Sequence, residues 1–351
     1  MRRSRKRSLR RFFALLLLAF LAVVAWFGFQ AYRKVFHPFQ GFPKSAVVRI
    51  ENGMPVQVIA RRLEQQGVIA SAEYFTRYYR LFFAKRKLKA GEYLFDAPLS
   101  MRQVLRKLEE GKAILYKVTV KEGLMIGEIA RVFAAAMLFP AAEFVQAAGD
   151  VSLVRDMDSE ANDLEGYLFP DTYRVPAKAE PADILGAMLN NFEEKTPADL
   201  SAAAAQSGFS LWQAVTLASI VEREAVQADE RPLIASVYRN RLTGACDADV
   251  GGSYLQADPT VQYARGRPGD WWWKPTSIEE YQFVQDPYNT YLNPGLPPGP
   301  IASPGISSLE AAVRPAETQY CFFVATGEDG RHVFARTLAE HEANVATYGG
   351  G

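Results

Sequence analysis

Glu222 and Glu224 close the run Leu211–Glu224, LWQAVTLASIVERE, and they are the acids best placed to do chemistry. From Val215 to Val221 the run holds only apolar side chains and two small hydroxyls, so a helix here is buried on most sides. A carboxylic acid at the end of such a helix loses solvation, which favours its neutral form. That state suits it to donate a proton near neutrality. Glu222 continues the stripe of Val215 and Ala218. Glu224, two residues on, points about 200° further around the axis and continues the stripe of Leu217 and Ile220. Helical phase does not choose between them, and a solvated helix end flanking Arg223 is the plainer alternative.

Other side chains with chemistry lie in irregular stretches. Glu165–Tyr173, EGYLFPDTY, brings Glu165, Asp171 and Tyr173 close together in sequence. Leu255–Thr260, LQADPT, carries Gln256, Asp258 and Thr260, and Pro287–Tyr291, PYNTY, carries Tyr288, Asn289, Thr290 and Tyr291. Between them stand Trp271, Trp272 and Trp273, and Gly295–Gly305, GLPPGPIASPG, follows. Loops of this composition cost backbone entropy to order unless they frame something. Aromatic rings beside amides and hydroxyls suit a carbohydrate groove, where sugar faces stack and sugar hydroxyls need planar partners. Core aromatics are the alternative.

Metal chemistry has little to build on. The chain has three histidines, His37, His332 and His341, with no HExxH spacing, and its two cysteines form no CxxC pair. Zinc chemistry is not expected. Cys246 stands in a polar, loop-like stretch and Cys321 in an apolar, strand-like one, a contrast that weighs against their pairing.

Charge is distributed unevenly. The net charge is +1, but residues 1–11, MRRSRKRSLRR, carry seven basic residues and no acid, which leaves the remainder at −6. An acidic body argues against nucleic-acid binding. Phe12–Phe29 is then 18 residues without a charge or polar side chain, enough to cross most of a ~30 Å hydrocarbon layer. No Ala-x-Ala cleavage pattern follows, so a retained signal anchor over 12–30 is expected. The basic tail places the N-terminus in the cytoplasm and everything beyond about residue 31 outside.

The outer part divides by texture. Val48–Arg61, VRIENGMPVQVIAR, and Val118–Arg131, VTVKEGLMIGEIAR, superpose at an offset of 70, each reading as strand, glycine turn and helix. Between them, AGEYLFDAPLSMRQVLRKLEEG predicts a strand at Tyr93–Phe95, a cap at Ser100 and a helix with Val104, Leu105 and Leu108 inward. The pattern resembles LysM modules, small βααβ units that bind cell-wall glycan; a solvated spacer is the plainer alternative. Further helices are expected over Pro181–Glu194, from Ser210 to about Ala225, and over PLIASVYRNRL before Gly244. A hairpin around Gly327–Gly330 and a closing helix end the chain. The fold class is therefore α+β: a basic tail (1–11), a transmembrane helix (12–30), a LysM-like α/β subdomain (45–150) and an α+β catalytic domain with long ordered loops (151–348).

Taken in order, EGYLFPDTY, LASIVEREA, LQADPTVQYA, YNTY, GLPPGPIASPG and GRHVFARTLAEH resemble the YceG-like family of membrane-anchored endolytic murein transglycosylases, over nearly the whole chain. The resemblance implies cleavage of the MurNAc-β-1,4-GlcNAc bond inside nascent peptidoglycan strands, without a cofactor, terminating glycan elongation beside the peptidoglycan polymerases, the penicillin-binding proteins. It implies that Glu222 is the acid and Glu224 its support, and that Gln256, Asp258, Thr260, Asn289 and Thr290 fall in groove-lining regions. Two departures stand out: Ala257, where the family often has threonine in LQTDPT, and the GDWWWKP stretch, which either extends the groove or contacts the membrane surface. Two rivals remain, a non-catalytic wall-binding scaffold and a metal-dependent wall amidase or peptidase, for which three histidines give little to build on; a hydrolase using Asp258 or Asp171 as second carboxylate is a further alternative.

Overall fold

The computed structural model describes residues 2–177, 179–267, 270–275, 279–327 and 329–348, with side chains from residue 15 onward. Gly269 of the tryptophan stretch, Glu328 of the hairpin turn and the side chains of the basic tail lie outside them. The chain forms two compact units, one running to Tyr116 with a short piece around Ala177, the other covering the rest from Lys117.

The first unit opens with α1 (Arg2–Phe36). Its span Leu15–Phe36 is the one described helix long and apolar enough to cross a membrane, and none of its apolar window is buried. Then come β1 (Ala46–Ile50), α2 (Val56–Gln65), α3 (Ala72–Phe82), β2 (Gly91–Phe95) and α4 (Met101–Glu110). β1 and β2 pair antiparallel with Val48 opposite Tyr93, and alternate residues Ala46, Val48 and Ile50 point into the core. Ser100 caps α4 in a reciprocal box with Gln103, and Val104, Leu105 and Leu108 are fully buried beneath it.

The chain passes into the second unit within β3 (Leu115–Thr119), which is followed by α5 (Ile126–Ala135), α6 (Ala141–Ala148) and β4 (Thr172–Pro176), the partner of β3. The offset of 70 thus reproduces an element order: strand, helix, helix, strand occurs twice. Gly53 and Gly123 occupy equivalent turns with φ of +72° and +75°, where a side chain would be strained.

The rest of the second unit is mainly helical: α7 (Pro181–Lys195), α8 (Leu200–Gln206), α9 (Leu211–Glu224), α10 (Arg231–Leu242), α11 (Asp247–Val250), α12 (Asp258–Arg265), α13 (Glu279–Gln282) and α14 (Ile306–Val313). The hairpin β5 (Phe322–Ala325) and β6 (His332–Ala335) and the closing α15 (Leu338–Tyr348) complete it. α9 is the core helix. Ser210 and Gln213 cap its start reciprocally, and every residue from Ala214 to Val221 is buried. α8, α10, α12 and α14 pack around it. Cys246 and Cys321 form a disulfide, contrary to the expectation from their dissimilar surroundings. Both sit in one small apolar cluster with Phe322 and Ala335.

Candidate functional site

The glycine- and proline-rich segment 295–305 runs along α9 and is fastened at three heights. Trp212 Nε1 donates to the Pro298 carbonyl at 3.0 Å, the Ile301 amide donates to Ser219 Oγ at 3.0 Å, and the Gly305 amide donates to Glu222 Oε2 at 3.0 Å. The small hydroxyl of Ser219 is thus spent on a loop amide, and Thr216 turns its own back to the Trp212 carbonyl. Gly166 of EGYLFPDTY touches the same seam: a Cβ there would stand 2.7 Å from Val215 and Pro300.

The apolar setting expected around Glu222 is not what surrounds it. Both carboxylate oxygens are occupied, Oε1 by Arg231 Nη2 at 3.1 Å and Oε2 by the Gly305 amide and by Ser308 Oγ at 2.7 Å. Its side chain is 6% exposed and that of Arg231 11%. Arg231 also donates to Ser308, which closes a small network joining α9, α10 and α14. Glu122 lies beside it, its carboxyl raised by burial and by the Glu222 charge. Such a network holds Glu222 as the acceptor of three hydrogen bonds, two on Oε2 and one on Oε1.

Glu224 stands differently. Among the described residues its hydrogen-bond partner is Tyr238, whose hydroxyl donates to Oε1 at 2.7 Å. Burial pushes its carboxyl up to about 7; the Tyr238 bond opposes this, the charge of Asp258 adds to it, and Arg241 and Arg223 pull it down. Like Glu222, the residue as a whole is half-buried. Asp258, at the first position of α12, is raised by burial and takes hydrogen bonds from Tyr291, at 2.5 Å, and Tyr281. Tyr281 and Tyr291 stack with centroids 5.6 Å apart, and both feel the Glu224 charge. Glu224, Asp258, Tyr238, Tyr281 and Tyr291 therefore form one acid-and-phenol cluster at the end of α9.

The remaining expected site residues separate into supports and outliers. The Ala257 amide donates to Thr290 Oγ1 at 3.0 Å, Thr260 Oγ1 lies 2.9 Å from Thr290 Oγ1, and the Gln256 amide donates to the Thr290 carbonyl. Asn289 donates to the carbonyls of Tyr281 and Val284. Thr260, Asn289 and Thr290 are fully buried and knit LQADPT to YNTY. Ala257 is buried in the same seam. Gln256 is exposed with a left-handed φ of 49°, a strained conformation for a residue with a side chain. Tyr288 packs against Tyr263 at 4.9 Å, and both feel the charges of Glu165 and Asp163. Glu165 itself is 2% exposed, accepts the Ile126 amide at 3.0 Å, and is pushed by burial up to about 8. It caps α5 from inside the core and does not open to a ligand. Asp171 is held by Lys195 and Asn191 of α7, and Tyr173 is buried with its hydroxyl on the Phe169 carbonyl. Those two share no contact with the α9 acids among the described residues.

Arg231, Ser308, Tyr238, Tyr281, Arg241 and Glu122 were not singled out in the sequence. Of these, only Tyr238 carried a signal, a polar ring on the core-facing side of an apolar helix. Among the described residues no group of three or more His, Cys, Asp or Glu has the geometry of a metal site.

This arrangement can be set beside known proteins. The profile of the YceG-like family matches residues 48–347. The chain is 32% identical to the endolytic murein transglycosylase of Bacillus subtilis, over 90% of its own length and 88% of that protein. It is 27% identical to the endolytic murein transglycosylase of Streptococcus pneumoniae D39, over 95% of its own length, but spans only 64% of that longer protein. The crystal structure of a YceG-like protein from Listeria monocytogenes superposes with a TM-score of 0.56 at 30% identity, covering 86% of this chain and 98% of that one. The matched span takes in the duplicated strand–helix–helix–strand order, the α9 acids and the loops that fasten them, and the chain belongs to the YceG-like family.

Proposed function

We propose that the chain is a membrane-anchored lytic transglycosylase that cuts the MurNAc-β-1,4-GlcNAc bond within nascent peptidoglycan strands and leaves 1,6-anhydro-MurNAc ends. The observation that carries this reading is Glu224: a recessed carboxyl at the end of a buried helix, pushed up to about 7, with one oxygen engaged by Tyr238. A group poised near neutral pH can give a proton and take one back. Glu224 protonates the oxygen between the sugars as the bond breaks. As carboxylate, it then accepts the proton of the muramic C6 hydroxyl while that hydroxyl closes on C1. The nucleophile is attached to the substrate, so its effective concentration is high and no water needs to be positioned.

This moves the acid from Glu222, where the resemblance alone had put it, to Glu224. What supports the move is the occupancy of both Glu222 oxygens by Arg231, Gly305 and Ser308, against one engaged oxygen on Glu224. Glu222 then anchors the helix end to the loop that follows. Asp258 is the weaker candidate, because two phenols, Tyr291 and Tyr281, hydrogen-bond to its carboxyl where Tyr238 alone does so to Glu224. A hydrolase built on Glu224 and Asp258 is the alternative that this proximity keeps open, and it would release reducing ends.

The strand–helix–helix–strand piece from β1 to β2 and the strand, helix and helix from β3 to α6 support a LysM-like, glycan-holding role for the stretch 45–150, and the apolar α1 supports an anchor with its basic tail in the cytoplasm and the second unit outside. There the enzyme would meet strands as the polymerases release them and end their elongation. Mass spectrometry of digested strands tests the reaction: anhydro ends made by the wild type and lost in Glu224→Gln support it, while binding without products would favour the non-catalytic scaffold.

A further inference from the structure

Trp272 ends a chain of contacts that begins beside the acid. Arg223, between the two α9 carboxylates, lays its guanidinium over the Trp272 ring with Cζ 3.7 Å from the ring centre. Its Nη1 donates to the Gly123 carbonyl at 3.2 Å, and its buried Nε has no hydrogen-bond partner among the described residues. The indole is itself pinned: Nε1 donates to Glu128 at 3.1 Å, and Glu128 also accepts the Met125 amide at the start of α5. Trp271 braces the same face of α5, filling the space where a Cβ on Gly127 would stand 2.9 Å from its ring, with Arg131 over it at 5.3 Å. The neighbouring Trp273 takes Arg265 at 3.8 Å and meets Tyr281 edge-on at 5.7 Å.

A cation that stacks on an indole while one of its buried N–H groups goes unpaired is held in large part by the ring. The ring in turn is held by α5, whose first amide rests on Glu165. We propose that Trp272 is a positioning residue for the Glu224 acid, acting through Arg223: the indole fixes the guanidinium, and the guanidinium fixes both the last turn of α9 and one of the two positive charges that act on the acid. This rests on Glu224 being the acid. The charged and titratable groups around Glu224 are Arg223 on its own helix, Tyr238 and Arg241 from α10, Asp258 from α12, Tyr281 from α13 and Tyr291 from the loop after it. Arg223 in addition faces Glu128 and Glu222. Arg223 and Arg241 are the cations of that set, and each draws the Glu224 carboxyl down. Freeing Arg223 removes one of them, so the carboxyl titrates higher and the alkaline limb of the pH profile moves up.

The test compares wild type, Trp272→Ala, Trp272→Phe, Arg223→Gln, the Trp272→Ala/Arg223→Gln double variant and Glu224→Gln, as full-length proteins in detergent, on purified glycan strands across pH. Trp272→Ala is expected to lose roughly tenfold or more in kcat with KM held within about twofold, as misplacement of a reacting group does. Its alkaline limb shifts to higher pH. Trp272→Phe keeps the aromatic face and recovers most of kcat, Arg223→Gln reproduces the alanine variant, and the double variant is no worse than either single one. A rise in KM alone would make the ring a substrate wall, and additive losses or an unmoved pH limb would likewise overturn the proposal. Should Trp272→Ala fail to fold, Trp272→Phe against Arg223→Gln decides: an unmoved limb in Arg223→Gln overturns it. Wild-type activity in Glu224→Gln would instead overturn the choice of acid, whereas an inactive Glu224→Gln beside an unaffected Trp272→Ala would sink the positioning role alone.

Discussion

Two glutamates stand two residues apart on one helix, and the helix turn sends them into unlike company. Glu222 meets an arginine, an amide and a serine; Glu224 meets phenols and a second carboxyl. Replacing Glu222 by Gln leaves Arg231 buried without its counter-charge, and breaking a buried pair from one side costs about 3 kcal/mol. The expected result is a clear drop in thermal midpoint for Glu222→Gln, whereas Glu224→Gln keeps the midpoint and loses the reaction. Scanning calorimetry beside a product assay separates the two. The pH dependence has a definite sign. Glu224 must begin protonated and titrates at about 7, so turnover falls as pH rises through that value. A rate that climbed steadily from pH 6 to 8 would contradict it.

At the scale of elements, the stability of the second unit depends on acids that the fold buries. Glu165 titrates at about 8 in the folded chain against an ordinary 4.5, so the folded state holds a proton that the unfolded chain releases. Its contribution is complete below about 4.5 and is lost as pH rises toward 8. The thermal midpoint is expected to fall over that window, and Glu165→Gln to flatten the fall; an unchanged slope would argue against a protonated Glu165 in the cap of α5. The disulfide closes a loop of 75 residues, which in the chain-entropy account is worth about 4 kcal/mol. Denaturant titration of the Cys246→Ser/Cys321→Ser variant checks it. Much of this level was legible in the sequence. The apolar run in α9, the Ser100 cap and the offset of 70 are local patterns, and local patterns survive into structure. Which glutamate the following loop engages was not legible, because Gly305 and Ser308 lie more than eighty residues away in sequence. The cysteines were misread for the same reason: their stretches look unlike each other and meet only in the folded cluster.

At the scale of the whole molecule, a span fit to cross a membrane precedes the two units, and the proposed substrate is made at a membrane surface. On the proposed function, tethering would confine the acid to strands near their point of synthesis. Cells expressing the anchored protein are expected to carry shorter glycan strands than cells exporting the same chain without α1 at equal abundance; equal lengths would remove the tether from the account. The central claim, that Glu224 is the acid of a lytic transglycosylase, is tested most directly by mass spectrometry of glycan strands digested with wild type, Glu224→Gln and Glu222→Gln. The account predicts anhydro-muramyl ends from the wild type, none from Glu224→Gln, and a reduced but measurable yield from Glu222→Gln where it stays folded. Anhydro ends from Glu224→Gln, or reducing ends from the wild type, would contradict it.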